Sequence, residues 1–147
     1  MPGVEGRVAL VTGAGRGIGR VSAELLASRG ARVMAVARSE NELQTLGLDY
    51  LVADLGTPNG CALAVQETQD RLGPVAILVC NHGIGSAHEQ VIWEQKPEVW
   101  RETMRINLDG PYLLSQAVVK DMIDQSYGRL VFTSSTAGQV AEYAGSA

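Results

Sequence analysis

The chain has 147 residues, 12 Lys and Arg against 16 Asp and Glu, a net charge of −4, 46% hydrophobic and 19% charged residues, and 17 glycines. Such a balance excludes a disordered polypeptide and, with no extended basic run, argues against binding to nucleic acid or to an anionic membrane surface. The length fits a single domain, residues 1–147, that buries roughly 70% of its extended surface.

In chain order, short β-branched or aliphatic runs at 7–11, 32–37, 49–53, 75–80 and 129–134 read as strands, each buried on both faces as in a parallel sheet. The first run breaks at Thr12-Gly13, too short for a signal peptide or a membrane span. Between strands lie helical patterns. One begins near Arg16; Ser39-Glu-Asn-Glu42 reads as a capping box; Thr57-Pro58 and Lys96-Pro97-Glu98 open further helices. Gly30, Gly47, Gly73 and Gly128 stand at or near helix ends. Residues 108–123 are apolar around most of a helix, which predicts burial on more than one side, within the domain or against a second subunit. The order is βαβαβαβααβ, an α/β chain with crossover helices. Cys61 and Cys80 fall in a helix and a buried strand and are expected as reduced thiols of a cytoplasmic protein.

The segment Val8-Ala-Leu-Val-Thr-Gly-Ala-Gly-Arg-Gly-Ile-Gly19 joins a strand to a helix through glycines. Backbone without Cβ atoms turns sharply and admits phosphate oxygens to the amides, and the helix start presents free N–H groups and the positive dipole end. A bare structural turn is the plainer alternative; position after the first strand favours a nucleotide pyrophosphate. The spacing is Thr12-Gly13-x-x-x-Gly17-x-Gly19, not Gly-x-Gly-x-x-Gly. A zinc site from Cys80, His82 and His88 lacks the four spaced ligands of a structural site, so no metal is expected.

That spacing resembles the short-chain dehydrogenase/reductase family, together with Asn81-His82-Gly83, Asn107-Leu-Asp-Gly110 and Gly128-Arg-Leu-Val-Phe-Thr-Ser-Ser-Thr-Ala-Gly138. The resemblance runs through essentially the whole chain. It implies a Rossmann-type doubly wound parallel sheet with helices on both faces, ending after the fifth strand. It also implies hydride transfer between a nicotinamide coenzyme and a small carbonyl or alcohol substrate; separately, the apolar helix at 108–123 leads to the expectation of a homo-oligomer for the full-length protein. The implied coenzyme contacts are Thr12, Gly13, Gly15, Arg16, Gly17, Ile18, Gly19, Arg38, Ser39, Asp54, Leu55, Asn81 and Gly83. Where members that prefer NAD carry an acid at the end of the second strand, this chain has Ala37 and Arg38, and guanidinium groups at Arg38 and Arg16 suit a 2′-phosphate. NADP(H) is therefore expected over NAD(H). The plainer readings are a solvated Arg16, an Arg38 that caps a strand end, a Ser39 that caps a helix and an Asp54 that forms a turn.

The resemblance assigns Ser135 to the substrate oxygen and Asn107 to a relay water. Cys80 and His82 depart from the family's Asn-Asn-Ala-Gly segment, and His82 is bulky beside the expected nicotinamide ribose. The family's Tyr-x-x-x-Lys pair would fall at or past Ala147; Tyr143 is too close to Ser135 and has no lysine four residues on. The chain is thus expected to be a fragment, associating through its last strand and inactive by itself. The alternatives are a non-catalytic nucleotide-binding or regulatory module and an interaction subunit completed by a partner chain.

Overall fold

The computed structural model describes residues 3–85, 91 and 93–136. Five parallel strands form one sheet: β1 (Val8–Thr12), β2 (Arg32–Ala37), β3 (Asp49–Val52), β4 (Val75–Cys80) and β5 (Arg129–Phe132), in the order β3-β2-β1-β4-β5. This is the first part of the Rossmann order, and it reverses direction between β1 and β4. All five residues of β1 and all six of β4 are buried, as continuous apolar runs in a doubly covered sheet must be.

Alternation along the strands supplies two cores. Leu10, Met34, Val36 and Leu78 face one layer with Ala64, Val65, Leu114 and Val118 of the helices α3 (Pro58–Leu72) and α5 (Gly110–Asp124). Ala9, Val11, Val33, Ala35, Ile77 and Val79 face the other, with Ala23 of α1 (Gly17–Ser28) and Leu43 of α2 (Glu40–Gln44). The Thr57 hydroxyl accepts the Gly60 N–H at 3.0 Å and Pro58 takes the first turn of α3, as the sequence predicts. The Asp121 carboxylate joins three elements by accepting from Gln69 Nε2 at 2.8 Å and from the Val75 N–H at 3.1 Å.

Five local expectations change. Ser39 precedes α2, but no side-chain bond closes the predicted capping box, because Glu42 turns elsewhere. The left-handed residue after α5 is Ser126, with φ of 52°; Gly128 is needed instead because a Cβ there would lie 2.6–2.8 Å from the Met122 side chain. The helix α4 (Pro97–Met104) and α5 are joined by a π-helical turn, Arg105–Asp109. Pro111 brings no N–H to the carbonyls one turn before it, which favours a wider turn at that point. Finally, α5 is buried on one side only: Leu114, Val118 and Met122 lie inside, whereas Tyr112, Val119 and Ile123 are exposed. Burial on several sides is not met within the described residues. Strand β5 ends at Phe132, two residues short of expectation, and all four of its residues are exposed.

Cys61 and Cys80 are free and buried. Burial first, then the nearby Asp54 charge, pushes the Cys61 thiol up to about 11; burial, then Cys61, pushes Cys80 up to about 12. Both are protonated thiols at neutral pH. No helix among the described residues is long and apolar enough to cross a membrane.

Candidate dinucleotide-binding site

At the point where the strand order reverses, the carboxyl ends of β1 and β4 part and leave a crevice, the usual ligand position in an open parallel sheet. A cavity of 430 Å³ occupies it, and Gly13, Gly15, Arg16, Gly17, Ile18, Arg38, Ser39, Asp54, Leu55, Asn81 and Gly83 line it. Eleven of the thirteen expected coenzyme residues thus meet in one wall. The other two stand directly behind it: Thr12 is fully buried and Gly19 supports the loop.

The glycine loop is shaped by close approach. Gly13 has φ of 63°, and a Cβ there would lie 2.9 Å from the His82 backbone. A Cβ on Gly19 would collide with the Gly13 carbonyl and lie 2.6 Å from Asn81 Nδ2. Gly17 needs only its left-handed φ of 55°. The Ala14 N–H donates to the Val36 carbonyl at 3.1 Å, which ties the loop to β2. Helix α1 starts at Gly17 with no side-chain cap, so its first N–H groups have no intrahelical acceptor, and Gly17 and Ile18 of that turn line the cavity. Among the described residues, the guanidinium groups of Arg16 and Arg38 make no hydrogen bond or ion pair. Glycine walls, exposed amides and two unspent cations fit a dinucleotide diphosphate.

Thr12 is the junction of the site. Its hydroxyl donates to the Val79 carbonyl at 3.1 Å, accepts the Asn81 N–H at 3.0 Å and the His82 N–H at 3.3 Å, and lies 2.7 Å from His82 Nδ1. Asn81 uses its amide structurally: Nδ2 donates to the Gly13 carbonyl at 3.4 Å and Oδ1 accepts from the Thr133 hydroxyl at 3.0 Å. The departure at His82 is accommodated by turning the ring inward. Its Nε2 is buried beneath Gly110, where a Cβ would come within 2.8 Å of it, and among the described residues the Ile106 carbonyl is near it without forming a well-aligned hydrogen bond. Burial lowers the His82 pKa, opposed by the Ile106 carbonyl and Asp54. The sign follows: the unfolded chain binds a proton below its ordinary value of 6.5 that the folded chain resists, so stability is held above 6.5 and lost as pH falls below it. We expect the urea midpoint to fall between pH 7.5 and 5.5 by more in the parent than in His82→Ala. Equal falls in both would remove His82 as the cause.

Asp54 serves a turn, as the plainer reading has it. Its Oδ1 accepts the Gly56 N–H at 3.0 Å and its Oδ2 pairs with Arg105 at 3.5 Å, while the residue still lines the cavity. Glu42, Gly56 and Ile106 line the cavity without having been singled out as site residues in the sequence, and Arg105 enters only as the partner of Asp54. Only the separation of Ser39 and Glu42 singled out Glu42, and that pattern was accounted for by a cap.

Asn107 and Ser135 do not line the cavity. Asn107 sits in the π-helical turn and spends both amide atoms on one residue, accepting the Ile84 N–H at 2.9 Å and donating to the Ile84 carbonyl at 2.8 Å; Ile84 in turn lines the cavity. Ser135 is exposed beyond the end of β5. Tyr143 and His88 lie outside the described residues, among which no three acidic, His or Cys side chains are grouped to hold a metal.

A solved metagenomic short-chain oxidoreductase in complex with NADP superposes with a TM-score of 0.89 at 32% identity, over 97% of this chain and 68% of that one. A structure described as ribose-5-phosphate isomerase from Brucella melitensis 16M superposes with 0.88 at 33% identity, over 95% and 55%, so the shared fold by itself does not name a reaction. The 3-oxoacyl-[acyl-carrier-protein] reductase FabG of Escherichia coli is 38% identical over 141 residues, 91% of this chain and 57% of the relative, so the chain spans little more than half that length. The family model for short chain dehydrogenase matches residues 7–147, and with the glycine loop, the strand order and the crevice in agreement, the chain belongs to the short-chain dehydrogenase family of oxidoreductases.

Proposed function

We propose that residues 1–147 act as one nicotinamide dinucleotide-binding domain that prefers NADP(H), in a protein that interconverts a small carbonyl compound and its alcohol. One observation carries the reading: the crevice at the strand-order reversal is lined by glycines, of which Gly13 leaves no room for a Cβ, and is flanked by Arg16 and Arg38, which are unpaired among the described residues. The metagenomic relative solved with NADP supports the coenzyme class. Backbone amides of the first turn of α1 hold the diphosphate, Thr12 and Asn81 keep the loop in shape, and Arg38 with Arg16 meets the 2′-phosphate. The bound coenzyme supplies the hydride.

Ser135, following β5, donates a hydrogen bond to the substrate oxygen. Asn107 acts as a positioning residue that pins Ile84 to the π-helical turn. The outer face of α5, with Tyr112, Val119 and Ile123 exposed, supports a homo-oligomer.

The test is a titration of NADPH and NADH against the parent and Arg38→Asp. We expect the parent to bind NADPH more tightly, and the substitution to weaken NADPH by about 30-fold while leaving NADH within about threefold. Equal affinities, unaltered by the substitution, would remove the NADP(H) preference. For this polypeptide assayed by itself we expect coenzyme binding without turnover; steady NADPH oxidation with a carbonyl substrate would contradict that.

A further inference from the structure

The acid that reads a ribose is missing from the end of β2, but the cavity is not without one. Glu42, on α2, reaches the same wall. Its carboxylate occupies the space above Gly15: a Cβ on Gly15 would collide with Glu42 Oε2 and lie 3.1 Å from the Glu42 Cβ. The side chain is half-buried, and among the described residues neither carboxylate oxygen takes a hydrogen bond or an ion pair. It therefore ignores Ser39, its expected capping partner, as well as Arg16 and Arg38, which line the same cavity.

Its position is held from behind. Arg20 of α1 donates to the Glu42 carbonyl at 3.3 Å, to the Thr45 hydroxyl at 2.8 Å and to the Thr45 carbonyl at 3.2 Å, fastening α2 against α1. Leu43, next to Glu42, is fully buried in the core under the sheet. With the backbone held at both points, Glu42 is kept beside the glycine loop.

We propose that Glu42 is a coenzyme-discriminating residue that works against the two arginines. An ionised carboxylate accepts hydrogen bonds from a ribose diol and repels a 2′-phosphate, so it lowers the preference for NADP(H) that Arg16 and Arg38 establish. Gly15 is part of the device, since any side chain there would displace the acid. The inference rests on the dinucleotide reading of the cavity.

The test measures dissociation constants of NADPH and NADH, by coenzyme fluorescence, for the parent 147-residue chain, Glu42→Gln and Gly15→Ala. Glu42→Gln removes the charge at constant shape; Gly15→Ala keeps the charge and pushes it aside, and Gly15 is not in the left-handed region, so its backbone accepts alanine once the end of the Glu42 side chain moves. In both variants we expect the ratio of NADH to NADPH dissociation constants to rise about tenfold, mostly through tighter NADPH binding in Glu42→Gln. Should one variant fail to fold, the other decides. A ratio within twofold of the parent's, or one that falls, overturns the role of Glu42 and leaves the binding site standing. A parent that binds neither coenzyme overturns both.

Discussion

Gly19→Ala is expected to weaken coenzyme binding by at least about 100-fold and to lower stability by about 2–4 kcal/mol, or roughly 5–10 °C in Tm. The new Cβ would collide with the Gly13 carbonyl and lie 2.6 Å from Asn81 Nδ2. Neither neighbour can withdraw. Gly13 is confined by its left-handed φ of 63° and by the His82 backbone, and Asn81 is held through its N–H on Thr12 and its Oδ1 on Thr133. The loop must open instead, and the amides proposed to hold the diphosphate lose their common focus. Gly17→Ala is the contrast within the same loop: nothing lies within 4 Å of a Cβ there, so only the left-handed backbone resists, at about 1 kcal/mol. Thermal unfolding and NADPH titration of the two variants check the difference; a Gly19→Ala protein with parental Tm and affinity would show that the loop is not closed as described.

Thr12→Val is expected to cost about 2–4 kcal/mol although it conserves shape. Removing the hydroxyl strands the Asn81 and His82 N–H groups, the Val79 carbonyl and His82 Nδ1 together, at a residue that is fully buried. Buried polar groups left without partners lose their desolvation energy with no return. Thr12→Ser keeps the hydroxyl and loses one methyl, so about 1 kcal/mol is expected there. Urea unfolding at pH 7.5 gives both values. A valine variant as stable as the serine one would mean that the hydroxyl is not the junction of β1 and β4.

Much of the architecture was legible along the chain. The bounds of β2 and β4 match the sequence reading to the residue, and those of β1, β3 and β5 within two, because doubly buried strands are continuous apolar runs bounded by glycine and polar turns. The glycine loop was equally plain, since its spacing and its place after a strand are local facts. The capping box was misread: a Ser and a Glu three residues apart satisfy a local pattern, but the fold offers Glu42 a second position over Gly15, and only the packing of α2 against α1 through Arg20 selects it. His82 looked like an obstruction in the coenzyme path, yet the ring turns toward Thr12, 70 residues earlier, beneath Gly110, whose lack of a side chain leaves room for it.

The amino-acid order by itself determined the strands, the crossover helices, the glycine loop and the family, because periodicity and glycine placement act over a few neighbouring residues. Tertiary structure alone decided which polar partner each site residue takes: Asp54 pairs with Arg105, Asn107 with the Ile84 backbone, and Asp121 with Gln69 and Val75. It also decided that α5 buries a single face. A side chain capable of several hydrogen bonds has no local preference among distant partners, and the choice follows from which backbone and which absent Cβ the sheet and its helices bring within reach.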